Sequence, residues 1–371
     1  MKLNLLNLID YKYKMTIKDI ALKANVSIGT VDRVIHGRGG VSKKTKEIIE
    51  EIIKENNFKI NFVASALTKK KKYRIATLIP DYDDENMFWR SPYLGIEKAS
   101  SEIEIFGFNV VNYKYSQTDV STYLDSFKKL LHTNPDGVVI VPAFKNSTKN
   151  ILKKLDELKI PYFFLNINLK GFNNLSFIGQ DSFKSGYLAG KLLHTCLGNN
   201  PQFLTVKIAS HLKNDAILNR VKGFEEYFLD KQVKTTSINV VFESIKLKKT
   251  ISKKINNILN SNPKIRGVFV PSSRVGIISN LLTQKNQQKF KVIGFDTTPN
   301  NLKCLNNDKI TFLISQKSFN QGYNSIIHMS DFLFKKILPE QKIFSPIEIV
   351  TKENLEFTNK NKRDFVKFKQ E

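Results

Sequence analysis

From residue 73 to residue 358 the chain alternates short apolar runs with amphipathic stretches. RIATLI, NVVNY, DGVVIV, PYFFLNI, FLTVKI, RGVFV and KVIGF carry little polar interruption. A strand with one wet face alternates apolar and polar residues, so runs like these predict strands covered on both faces, as in parallel sheets. Between them STYLDSFKKLLH, DSFKSGYLAGKLLH and NDAILNRVKGFEEYF place apolar residues at helical spacing. This alternation predicts a doubly wound α/β region. About a dozen strands are expected, more than one small sheet needs, so two Rossmann-like subdomains are predicted.

The first 60 residues follow another pattern. In TIKDIALKA, Ile17, Ile20, Ala21 and Ala24 fall at i, i+3, i+4 and i+7, the stripe of a short helix. Thr16 is placed to cap it, with Asp19 at the capping-box position. Asn25 and Val26 make a tight turn, and Ser27 then caps a second helix that turns Val31, Val34 and Ile35 inward. Ser42 caps a third, KKTKEIIEEIIKEN, with Ile48, Ile49, Ile52 and Ile53 on one face. Two short helices across a tight turn, braced by a third, predict an all-α helix-turn-helix head.

The glycines at 37, 39 and 40, set among basic residues, raise a second reading: a phosphate-binding loop. Such a loop needs GxxxxGK[ST] directly after a buried strand. Five residues beyond Gly37 stands Ser42, and no apolar strand precedes the stretch. The glycines therefore read as the loop into the third helix.

Charge agrees with a nucleic-acid partner. The 371 residues carry a net charge of +25, and residues 1–72 alone hold 16 Lys and Arg against 7 Asp and Glu. That is more than twice the charge density of the remainder, so the head is the electrostatic footprint. Cys196 and Cys304 are too far apart in sequence for a CxxC pair and read as buried structural thiols in a reducing cytoplasm. Asp10 interrupts an apolar run too short for a signal peptide, and Met15 is a plausible initiator, leaving 1–14 as an extension. No run reaches the ~20 apolar residues of a membrane helix. Histidines 36, 132, 194, 211 and 328 show no metal-ligand spacing, and neither GxSxG nor GxGxxG occurs, so no catalytic residue, metal or cofactor is assigned.

From Met15 to Leu67, TIKDIALKANVSIGTVDRVIHG followed by VSKKTKEIIEEIIKENNFKINFVASAL resembles the LacI/GalR family of bacterial transcription regulators in order and spacing. The resemblance implies a head over 15–60 whose second helix enters the major groove. Ser27, Ile28, Gly29, Thr30, Asp32, Arg33 and His36 are then the candidate DNA contacts. Arg33 can donate to guanine O6 and N7, and Ile28 can touch a thymine methyl. Gly29 permits only close approach, and Asp32 either accepts from cytosine N4 or pairs with a neighbouring cation. In the family the segment at 61–72, NFVASALTKKKK, is a hinge that orders on DNA. It is too short to be helical alone. Asn61, Ala64 and Leu67 are further candidate DNA contacts, with Leu67 as a wedge between base pairs in the minor groove and Lys69–Lys72 along the phosphates.

Residues 73–358 resemble the family's sensor, a type I periplasmic-binding-protein fold. That implies subdomains of 73–198 with 316–343 and 199–315 with 344–358, crossing near Gly198–Asn199, Ser315 and Phe344, and a polar tail over 359–371. Ligands of open α/β sheets bind beyond the carboxyl ends of strands. The implied ligand residues are Phe88 and Trp89 for stacking, with Asp181, Arg220, Ser272, Arg274, Asp296 and Gln316 for hydroxyls. Asp181 has an equal claim as a helix cap. PAFKNS places Ala143 and Phe144 where many sugar binders carry Asp, and PSSR replaces the common Asn-Asp pair with Ser272 and Ser273. A phosphorylated or acidic sugar is then an alternative, which Arg274 would serve.

The expectation is a cytoplasmic, homodimeric, non-enzymatic repressor of a pseudo-palindromic operator, controlled allosterically by a sugar-like effector. The rivals are the same regulator with a non-sugar or protein effector, and a solute-binding protein, which would need an export signal and no DNA-binding head.

Overall fold

The computed structural model describes residues 15–35, 37, 39–56, 58, 72–84, 86–208, 214–282 and 290–358. Two compact units divide the chain at Lys70/Lys71. Of the sequence expectations, those for His36, Asn61, Ala64, Leu67, the extension over 1–14 and the tail over 359–371 lie outside the described residues.

The first unit contains α1 (Ile17–Lys23), α2 (Ile28–Ile35) and α3 (Lys43–Glu55). The predicted capping box is present: Asp19 N donates to Thr16 Oγ1 at 3.3 Å and Thr16 N donates to Asp19 Oδ2 at 2.7 Å. Asn25 takes the left-handed conformation, and Val26 N closes the turn on Ala21 O at 3.0 Å. Ser27 and Ser42 accept from Thr30 N and Thr45 N as caps of α2 and α3. Ile20, Ala21, Val31, Val34 and Ile49 form the core, with Ile52 and Ile53 packed against it. Ile48 departs from the expected face and is exposed. At 100° per residue it sits a quarter turn from Ile49, and this thin three-helix core covers only the centre of the stripe.

The second unit opens with β1 (Tyr73–Pro80), α4 (Arg90–Ile103), β2 (Phe108–Tyr115), α5 (Val120–Leu131), β3 (Gly137–Ile140), α6 (Lys145–Glu157), β4 (Tyr162–Leu165), β5 (Ser176–Gly179) and α7 (Ser182–Leu197). It continues with β6 (Gln202–Ile208), α8 (Asp215–Asp230), β7 (Thr236–Phe242), α9 (Lys248–Ser261), β8 (Gly267–Phe269), α10 (Val275–Leu281), β9 (Lys291–Phe295) and α11 (Pro299–Asn306). Last come β10 (Phe312–Ser315), α12 (Ser318–Ser330), β11 (Lys342–Phe344) and β12 (Glu348–Val350). All seven named runs are strands.

Two sheets of six strands result, ordered β11-β5-β4-β3-β1-β2 and β12-β10-β9-β8-β6-β7. Every described pairing is parallel except β10 with β12. The two orders match strand for strand, so the unit is built from two halves of one topology, and β1, β3, β4 and β8 are buried at nearly every position.

One boundary needs correction. Helix α7 packs on α8, β8, β9 and β10 of the second sheet, and its Ala189 and Leu193 join Phe203, Phe224 and Phe269 in that core. The first passage between halves is therefore at Gln180–Asp181, not at Gly198–Asn199. Gly198 merely ends the helix. The passages expected near Ser315 and Phe344 are where α12 returns to the first sheet and where β11 gives way to β12. Each half is thus covered by a helix that follows a strand of the other.

Both covering helices cross a partner on glycine. A methyl at Gly186 would overlap the carbonyl oxygen of Arg220, and one at Gly223 that of Phe183. In the first half Gly95 and Gly322 stand in the same relation to Phe319 and Pro92. Cys304 is buried as expected, whereas Cys196 is half-buried at the end of α7, because that turn lies at the rim of the core.

Candidate functional site: the reading helix and the strand-end cluster

In the head, capping fixes the start of α2 and turns its first residues outward. Ser27, Ile28 and Gly29 are exposed, with Ile28 at 53%. An isoleucine that open to water costs hydration free energy unless a partner covers it, and a thymine methyl is a suitable partner. Ser27 Oγ and Thr30 Oγ1 lie 2.9 Å apart. These hydroxyls therefore hold the cap before they can touch a base. Arg33 is exposed and parks its guanidinium on Gly39 O at 3.2 Å, beside Gly40. This tether holds the fork near the helix, and among the described residues no other partner takes its remaining donors. Asp32 is half-buried. As an expected outcome, Arg33→Ala should lose about 1–3 kcal/mol of operator binding while affinity for random DNA changes little, read by competition binding on matched duplexes.

In the sensor, polar side chains gather where the parallel strands end. Arg220 lies on α8, 4% exposed, with its guanidinium 4.2 Å over the Phe295 ring. Its Nη1 donates to Pro271 O at 3.2 Å, and Nε has no protein partner among the described residues. Burial pushes the guanidinium pKa down and the charge of Asp296 pulls it back. Asp296 follows β9 and is buried in the left-handed conformation, φ 71°. It accepts from Gln316 Nε2 at 2.7 Å. Gln316 Oε1 in turn accepts from Asn166 Nδ2 at 3.2 Å, and Asn166 directly follows β4 of the other half. The cluster thus reaches across the two halves.

Arg220, Asp296, Gln316 and, through the Pro271 loop, Ser272 and Arg274 are brought to one region. Ser272 Oγ accepts from Arg274 N at 3.3 Å, and Arg274 Nη1 donates to Ser273 Oγ at 3.2 Å, so both serines shape the loop. Asp181 accepts from Lys184 N at 2.9 Å and caps α7. Phe88 and Trp89 are buried edge to face, centroids 4.9 Å apart, on the first half after β1. Phe144, half-buried after β3, leans on Tyr115 and Tyr123, whose hydroxyls are spent on Val141 O and Thr148.

Sequence reasoning missed Asn166, Gln180, Gln321 and Asn301. Fully buried Asn301 shares its two side-chain N–H groups among Ser273 O, Phe295 O and Asp296 O, and accepts from Gly276 N at 2.9 Å. It fastens the loops after β8 and β9. Asn166 and Gln180 had a readable signal, a polar residue ending an apolar run in FFLN and FIGQ; Gln321 and Asn301 sit in helices and had none. Two surface cavities, one lined by Asp136, Tyr162 and Leu333 and one by Lys291, Asp308 and Lys352, open at the opposite, amino ends of the strands. None of the expected ligand residues lines either. Among the described residues no group of three or more His, Cys, Asp or Glu could hold a metal, and no helix is long and apolar enough to cross a membrane.

Known proteins combine the same two parts. Residues 16–61 match the model of bacterial regulatory proteins of the lacI family, and residues 75–336 that of the periplasmic binding protein domain. The HTH-type transcriptional regulator RegA of Clostridium saccharobutylicum is 26% identical over 343 residues, covering 91% of this chain and 98% of the relative. A ribose operon repressor of Halalkalibacterium halodurans is 26% identical over 294 residues, 76% of this chain and 81% of the relative. A crystal structure of a LacI transcriptional regulator from Bacteroides fragilis superposes with a TM-score of 0.69 at 26% identity, covering 78% of this chain and all of that one. With a lacI-type head ahead of a periplasmic-binding-protein domain, the chain belongs to the lacI family of bacterial transcriptional regulators.

Proposed function

We propose that this regulator is a repressor, acting as a homodimer on pseudo-palindromic DNA, whose operator affinity is set by a small neutral polyol of the carbohydrate class. The observation that carries this reading is the buried chain Arg220, Asp296, Gln316, Asn166 across the strand ends. A hydroxyl both donates and accepts, so it suits a site offering a guanidinium and a carboxylate together. Because these two charges already offset each other, a neutral ligand leaves no charge unpaired, whereas a phosphorylated sugar would. The name of the ribose operon repressor relative supports the same class.

Effector held by both halves would draw them together and alter the spacing of the two hinge segments in a dimer. A coupling of about 1–3 kcal/mol corresponds to roughly 5–150-fold in operator affinity. The test is a thermal-shift screen of the full chain against pentoses, hexoses, inositols and their phosphates, followed by operator binding with and without each hit. Stabilisation by a neutral sugar that changes operator affinity is the expected result. A response confined to phosphates, or to none of the panel, overturns the reading. Leu67→Ala should weaken operator binding roughly tenfold or more and leave nonspecific binding nearly unchanged; equal loss on both DNAs would remove the wedge role.

A further inference from the structure

The chain passes between the halves at 180–181, 316–317 and 345–347, and each passage is tied to the other two. Gln180, on the first, is 3% exposed, and its Nε2 donates to Ser315 O at 3.0 Å and to Pro346 O at 3.1 Å. Ser315 is the last residue of β10, where the second passage begins, and Pro346 lies in the third. Ser345 N donates to Gly179 O at 2.6 Å, which carries the β11–β5 pairing up to the edge of the first and third passages. Lys317 Nζ lies 2.7 Å from Glu348 Oε1 and joins the second passage to the first residue of β12, directly after the third. The three connections form a closed triangle, with one side chain on two of its sides.

The chemistry of the glutamine side chain argues that these donors matter. A primary amide has two N–H groups, and here each has one carbonyl to meet. Its Oε1 is buried with no protein partner among the described residues, an arrangement that costs free energy. A methionine would fill the space without that cost, so packing alone does not account for the residue. The next residue after Ser315 is Gln316, which contacts both Asp296 and Asn166. The triangle therefore adjoins the polar cluster.

We propose that Gln180 is the positioning residue of the hinge, fastening the three passages so that they bend as one unit. Its consequence for regulation rests on the effector-driven closure set out above: movement begun at Gln316 would reach all three passages at once.

The experiment is hydrogen exchange of the full chain, without effector or DNA, in native protein and in Gln180→Met and Gln180→Glu. The expected result for Gln180→Met is roughly tenfold faster exchange in 179–182, 315–318 and 345–348 together, with β1 and β6 amides and the denaturation midpoint nearly unchanged. Gln180→Glu should do the same, more strongly above the carboxyl pKa, because a carboxylate would face two carbonyl oxygens. Faster exchange confined to 179–182, a uniform rise over both sheets, or no change in either variant would overturn the proposal. Since no sugar is present, failure of the carbohydrate reading would leave a positive result standing.

Discussion

Gly186→Ala should lower the stability of the sensor by about 3 kcal/mol, read as a shift of its denaturation midpoint. The cause is the crossing of α7 on α8. There the added methyl would overlap the carbonyl oxygen of Arg220 and lie 2.7 Å from its carbonyl carbon. A neighbouring side chain could rotate away, but a helix backbone cannot, so the whole crossing must open. It would carry with it the stack of Phe224 on Phe269, now at 3.9 Å between centroids. Gly39→Ala is the contrast, since nothing lies within 4 Å of the added methyl. That substitution should stay within about 0.5 kcal/mol of the native chain. Equal behaviour of the two would mean that α7 and α8 do not meet backbone to backbone.

Arg220→Met should abolish the sensor's response to its effector. Losing the guanidinium would remove charge-assisted hydrogen bonds to the effector, about 1.5–3 kcal/mol each, at least about tenfold in affinity. Operator binding in the absence of effector should be retained, because among the described residues the Arg220 side chain meets Pro271, Phe295 and, through space, Asp296, all in the sensor. The control is the double variant Arg220→Met with Asp296→Asn, which removes the uncompensated carboxylate. It should recover thermal stability lost in the single variant without recovering effector binding. Titration calorimetry with a hit from the sugar screen reads the binding. If Arg220→Met bound that hit as tightly as the native chain, Arg220 would be a structural residue only.

How far the sequence exposed this arrangement varied from place to place. The head was legible except at Ile48, since Thr16, Asp19, Ser27 and Ser42 act through hydrogen bonds only three residues long. Central strands were legible because burial on both faces removes polar residues from them. Edge strand β7, TSINVVF, has exposed and covered residues interleaved and was not singled out. The first passage was misplaced for a physical reason. A chain crossing from β5 into α7 needs no special residue, whereas Gly198 is conspicuous and only ends a helix. Among the site residues, Arg220 and Asp296 were named through resemblance to a family. Their mutual placement depends on Asn301 and on packing between distant segments, which no local pattern records.

The exchange of helices between the halves has a consequence for how such a gene can be recombined. The helix over the second sheet follows β5 of the first, and the helix over the first follows β10 of the second. A splice anywhere between about residue 180 and residue 350 would separate a sheet from its own lid. Descendants of this chain would then inherit their sensors whole, and the segment around Lys70, where one compact unit ends and the next begins, is the natural seam for acquiring a new head.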